Sequence, residues 1–122
     1  MPVAAEIIGT GIGHQKAHAI LGRCSIAQTA TGTNQATAAA LIADNVLLPT
    51  IASAGLGVVL PTSPSPGDEY RIANGGANAL FVYPQVGAQL NNATANDPLT
   101  LPIGKGAFFK CLDATNWLVV YS

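Results

Sequence analysis

Apolar residues in the second half of this chain come in short runs, each closed by glycine, proline, asparagine or aspartate. Over residues 69–73 the pattern alternates. Tyr70 and Ile72 fall on one side of an extended chain, Glu69 and Arg71 on the other. Residues 56–60, 80–83, 88–90, 99–101, 107–112 and 117–121 read as further strands. The segments between them carry turn chemistry. Residues 61–67, with Pro61, Pro64 and Pro66, form a rigid loop, because each proline fixes φ and lacks an N–H donor. Asn74-Gly75-Gly76 tolerates φ > 0 and marks a tight turn. A polar loop over 91–98 separates two short strands, and Asp113-Ala114-Thr115-Asn116 closes a hairpin. About eight strands result, enough for a sandwich or barrel. The pattern predicts an all-β fold, a small antiparallel β-sandwich or barrel of jelly-roll-like character.

The first part of the chain reads differently. Gly9, Gly11, Gly13 and Gly22 punctuate it too often for a helix, since each interior glycine costs about 1 kcal/mol relative to alanine. Ile7, Ile8, Ile12, Ile20 and Leu21 supply apolar anchors without amphipathic order. This is the pattern of an extended arm that needs a partner surface; a disordered tail is poorer in isoleucine and richer in charge. Residues 36–43 are ambiguous between a short helical turn, favoured by alanine, and extended chain, favoured by the flanking threonines. Residues 45–51 read as a strand that Pro49 confines to an edge or a bulge. The expected organisation is an extended N-terminal arm with lead strands over 1–54 and a β module over 55–122.

The expected core takes Val58, Leu60, Tyr70, Ile72, Leu80, Val82, Cys111, Trp117, Val119 and one of Phe108 and Phe109. Adjacent strand residues point to opposite faces, so the other phenylalanine needs cover from the arm or a neighbouring subunit.

Composition sharpens the expectation of neighbours. Charged residues make up 9% of the 122-residue chain, against about 25% in ordinary soluble domains. The formal net charge is -1. A free monomer relies on surface charge for solubility, so a surface this neutral points to an assembly subunit. Lys16, Arg23, Arg71, Lys105 and Lys110 are scattered, which argues against nucleic-acid binding. The N-terminus lacks the basic start of a signal peptide, and the apolar stretch 36–43 is too short to cross a bilayer. Cys24 and Cys111 are expected as two buried thiols rather than a disulfide.

No catalytic constellation stands out, and the expectation is a non-enzyme without cofactor or metal. His14 and His18 have helical i, i+4 spacing but lack a third ligand and a helix to carry them. Gly9-Thr10-Gly11-Ile12-Gly13 has no following Lys-Ser/Thr pair and no preceding strand, so it is not a phosphate loop. Asp68 and Glu69 face opposite ways on a strand, and Asp68 reads better as a turn residue. Ser25, Ser53, Ser63 and Ser65 lack a nucleophile-elbow context. Tyr83 and Trp117 are candidates for a sugar-stacking surface, with burial as the commoner fate of such residues.

Across residues 55–122, Gly57-Val58-Val59-Leu60-Pro61, Gly67-Asp68, Asn74-Gly75-Gly76-Ala77-Asn78-Ala79-Leu80, Val82-Tyr83-Pro84, Gly87, Asn91, Gly104, Cys111 and Trp117 form a pattern of turns and core positions. This pattern resembles a β module of tailed-bacteriophage virion proteins. The resemblance implies a virion structural protein: a capsid decoration (cement) protein that binds the outer surface of the head and stabilises the shell against internal pressure. The alternative it implies is a receptor- or carbohydrate-binding module of a head or tail fibre. The short chain, without a long repeat for a shaft, favours decoration. The partners implied are the major capsid protein and further copies in a homotrimer, with no direct nucleic-acid or membrane contact. The place implied is the capsid exterior, after assembly in the host cytoplasm. The expected capsid- or subunit-contact residues are Ile7, Ile8, Ile12, His14, Ile20, Leu21 and Phe109.

Overall fold

The computed structural model describes residues 24–26 and 28–121. All regular structure among them is β-strand. The strands β1 (Cys24–Ser25), β3 (Asn45–Leu48), β5 (Glu69–Asn74), β9 (Gly106–Asp113), β10 (Asn116–Tyr121) and β7 (Gln89–Leu90) form a six-stranded sheet in the order β1-β3-β5-β9-β10-β7. The strands β2 (Ala39–Ala40), β4 (Gly57–Val59), β6 (Leu80–Tyr83) and β8 (Leu99–Leu101) form a four-stranded sheet in the order β2-β4-β6-β8. The all-β class agrees with the sequence pattern.

The connectivity differs from an antiparallel sandwich or jelly roll. From β1 to β9 the chain changes sheet at every strand. Strands that become neighbours after one full circuit are therefore parallel: β1 with β3, β3 with β5, β2 with β4 and β4 with β6. Cys24 lies beside Asn45 and Asn45 beside Arg71, while Ala39 lies beside Val58 and Val58 beside Val82. One circuit takes roughly 20–25 residues, the length of a solenoid coil. Parallel neighbours need a crossover. Here the opposite sheet supplies it. The glycine, proline and asparagine turns send the chain across to the other sheet instead of back along the same one. The antiparallel strand pairs gather at the C-terminal end, where β9 joins β5, β10 joins β9 and β8 joins β6, although β7 lies parallel to β10.

Residues 24–26 and 28–54 belong to this winding. Strands β1 to β3 are its first turns, and Val46, Leu48 and Ile51 join the same buried cluster as Phe109 and Trp117. Strand β3 lies inside its sheet, between β1 and β5, and not at the edge that Pro49 suggested. It ends one residue earlier, at Leu48, whose carbonyl accepts from Gly75 N at 2.9 Å, so the proline interrupts no ladder bond. Over 36–43 the ambiguity resolves to the short strand β2. The preceding turn is held by Asn34, whose Oδ1 accepts from Thr37 N at 3.1 Å.

Between the sheets, Leu48, Ile72, Phe109, Val119 and Trp117 from one layer meet Val58, Leu80, Val82 and Leu101 from the other. Each such side chain contributes about 1.5–3 kcal/mol through its burial. The corner after β5 carries the buried polar group that joins the layers. Asn74 Nδ2 donates to Leu101 O at 3.0 Å and to Asn78 O at 2.8 Å, and its Oδ1 accepts from Gly76 N at 2.9 Å. Asn78 Nδ2 in turn donates to Ile51 O at 2.7 Å. Gly76 is required by the close approach of the chain: a Cβ there would stand 2.5 Å from Ile51 N.

Trp117 closes one end of the core. Its indole Nε1–H donates to the buried Gln85 Oε1 at 2.8 Å, and Gln85 Nε2 donates to Ala114 O at 3.0 Å. Tyr70 meets the indole edge-on at 5.8 Å between centroids. Trp117→Ala is expected to destabilise the fold by about 3–5 kcal/mol, through the cavity and the abandoned amide. Urea unfolding followed by circular dichroism measures this directly; an unchanged midpoint contradicts the core assignment.

Candidate functional site

The outer face of the six-stranded sheet carries an apolar surface. On β9, Phe109 points inward and is fully buried, while Phe108 points outward. Strand parity decides this: Phe109 pairs with the inward Tyr70 and Val119, and Phe108 with Arg71 and Val120. The expectation that Phe109 makes a subunit or capsid contact is corrected: its ring is in the core, and the outward position is held by Phe108. Leu47, Phe108 and Val120, with Ile26 beyond the edge strand, line a groove of about 600 Å³. Val120 is 53% exposed and Ile26 is 74% exposed. Arg71 is the charged residue among the lining side chains, and its guanidinium lies 4.9 Å from the Phe108 ring centre. That stacking lets the cation sit on an apolar face.

The other expected contact residues, Ile7, Ile8, Ile12, His14, Ile20 and Leu21, lie outside the described residues, as do His18 and the glycine run 9–13. Among the described residues no group of three metal-ligating side chains comes together. Asp68 is a turn residue, as its position after Gly67 implied, with Oδ2 accepting from Ser65 N at 2.9 Å. Glu69 points away from it and pairs across the sheet with Lys110 at 3.7 Å. The two aromatics considered for sugar stacking are both buried: Trp117 in the core, and Tyr83 with its hydroxyl donating to Thr33 O at 3.3 Å.

Both cysteines are free thiols, and only Cys111 is buried; Cys24 is exposed on β1, contrary to the expectation of two buried thiols. Among the described residues, the edge position of β1 leaves its side chain without a covering layer. Burial, then the Asp68 and Asp113 carboxylates, push the Cys111 thiol above its ordinary value of 9.0. Burial, helped by Asp44 and Asp68, likewise raises Tyr70 above 10.0. Asp113 is held below the carboxylate norm by the Thr115 N–H and the Asn116 amide, which organise the β9–β10 turn.

The outward set Leu47, Phe108 and Val120 was not legible as a unit, because it combines residues from β3, β9 and β10. The one signal available was the parity of β9 and β10 once their hairpin register is known. Comparisons with protein-family models, with curated proteins and with solved structures find no match to this chain.

A pH dependence follows from the raised pKa values. Both groups hold their protons more tightly when folded, so their contribution is fully present below the unfolded values and is lost as pH rises through the folded ones. The melting temperature is expected to fall as pH rises from about 9 to 11, where the unfolded thiol and phenol ionise first. Differential scanning calorimetry checks this: Tyr70→Phe should flatten the upper part of the decline, and an identical slope in the variant contradicts the role given to Tyr70.

Proposed function

We propose that the protein is a decoration (cement) subunit of a tailed-bacteriophage head, seated on the capsid exterior as a homotrimer. The observation that carries this reading is the apolar groove around Phe108 on a body with very few charges. The resemblance of residues 55–122 to virion β modules supports the same class. In this reading a neighbouring copy covers the groove, and residues 1–23, which lie outside the described residues, reach the major capsid protein through Ile7, Ile8, Ile12, His14, Ile20 and Leu21. The work is mechanical. Each joint buries apolar area at about 25 cal/mol per Å², and opening it under internal pressure exposes that area again. Attachment at three points adds avidity without new contacts.

Light scattering on the purified chain is expected to give a mass three times that of the monomer. Val120→Glu, an outward substitution that leaves the core untouched, should shift the protein to monomer with a melting temperature within a few degrees of wild type. Immunogold labelling of particles should place the subunit on the head surface. A monomeric wild type, or label confined to the tail, overturns the proposal.

A further inference from the structure

We infer that the groove around Phe108 receives the Val86 turn of the next copy, so that the proposed trimer closes head to tail. The inference rests on the homotrimer reading above and names the two surfaces that meet. A three-fold ring brings a patch of one copy against a different patch of the next. The groove therefore needs a complementary surface elsewhere on the same chain. A two-fold contact of groove on groove would instead set one Arg71 guanidinium against the other, and like charges across a joint repel.

Val86 is the most exposed large apolar side chain among the described residues, at 81%. It stands in a turn over residues 84–88 that is fixed before any partner arrives. Ala88 N donates to Gln85 O at 3.0 Å, and Gly87 takes a φ of 87°. The Gln85 side chain beneath is buried and bonded to Trp117 and Ala114. Gly87 N donates to Asn96 Oδ1 at 2.7 Å and Asn96 N to Ala88 O at 2.8 Å, so the turn over 93–97 is pinned alongside. A surface held in this way loses little conformational entropy on binding. Asp97, which is exposed, supplies the one charge that these two turns carry.

Charge and position select this turn. Arg71 is the charged residue of the groove, and its guanidinium presents a fork of N–H donors that can reach the Asp97 carboxylate of the next copy in addition to its contacts at home. Ile103, 58% exposed, sits in a comparable turn, where Lys105 N donates to Pro102 O at 3.1 Å. Lys105 there would set a cation against Arg71. Ile42 is also exposed, but it precedes Asp44, whose carbonyl accepts from Arg71 N at 2.7 Å, beside the groove of its own copy. The Val86 turn and the groove lie at opposite ends of β10. Gln85 bonds to Ala114 just before the strand begins, and Val120 lines the groove near its end. Each copy can then give its turn to one neighbour and its groove to the other, which is what a head-to-tail contact requires.

Sedimentation equilibrium of the full chain tests this, with the wild type expected as a trimer. Val86→Lys puts a cation into the groove beside Arg71 and should give monomer. Its melting temperature should match that of a monomeric Val120→Glu variant, because the side chain it replaces is exposed. Asp97→Arg reads the same surface without touching the apolar tip and should shift the population toward monomer. Val120→Glu spoils the groove and leaves the turn intact. An equal mixture of Val86→Lys and Val120→Glu should therefore form a dimer of one copy of each, since only the groove of the first and the turn of the second can meet. A trimeric wild type whose Val86→Lys variant is equally trimeric overturns the inference and leaves the trimer reading standing. A mixture that stays monomeric overturns it as well. A monomeric wild type overturns the trimer reading and the inference with it.

Discussion

The buried side-chain amide of Asn74 is the joint on which the two-layer winding depends. It stands where β5 ends in one sheet and the chain crosses to begin β6 in the other. Three hydrogen bonds satisfy it, one of them to Leu101 in the opposite layer. An unsatisfied buried polar group costs about 1–3 kcal/mol, so replacing this amide with an apolar group of another shape leaves Gly76 N and Leu101 O stranded. The glycine beside it and the Asn78 bond to Ile51 bring the preceding crossover against the same corner. Sheets that pack by apolar contact alone slide more easily than sheets also tied by a directional bond.

Winding has consequences for where surfaces form. Because consecutive strands change sheets up to β9, each face is assembled from residues of strands distant in the chain, joined by the β9–β10 hairpin. The outer groove joins Leu47, Phe108 and Val120, and its charged member, Arg71, is placed over an aromatic ring. The antiparallel end behaves differently. Hairpin β9–β10 and strand β8 close the layers, and Trp117 with Gln85 seals the core beneath them. The seam at that end opens into the cleft beside Asn92 and Tyr121.

The subunit role proposed above needs a face that neighbours can hold. An apolar face stabilises association in proportion to the area it buries. The scarcity of charge has a matching explanation. Charged groups at the centre of a joint carry a desolvation cost, so joints of the proposed kind are depleted in them.

Much of the local structure was legible in the chain. The alternation of Tyr70 and Ile72 against Glu69 and Arg71, the apolar run around Val82 and the turn chemistry at Asn74–Gly76 and Asp113–Asn116 identify strands and turns, because pleating and φ preference act over a few residues. Trp117 as core follows from the same signals. The parallel neighbours, the inclusion of strands β1 to β3 in the winding and the inward turn of Phe109 instead of Phe108 were not legible. A turn has the same composition whether it sends the chain back along its own sheet or across to the other. Which of two adjacent phenylalanines faces inward depends on the register with Tyr70 and Val119, partners 39 and ten residues away in the chain. Those choices rest on long-range pairing and on burial between layers, which exist only once the whole chain has folded.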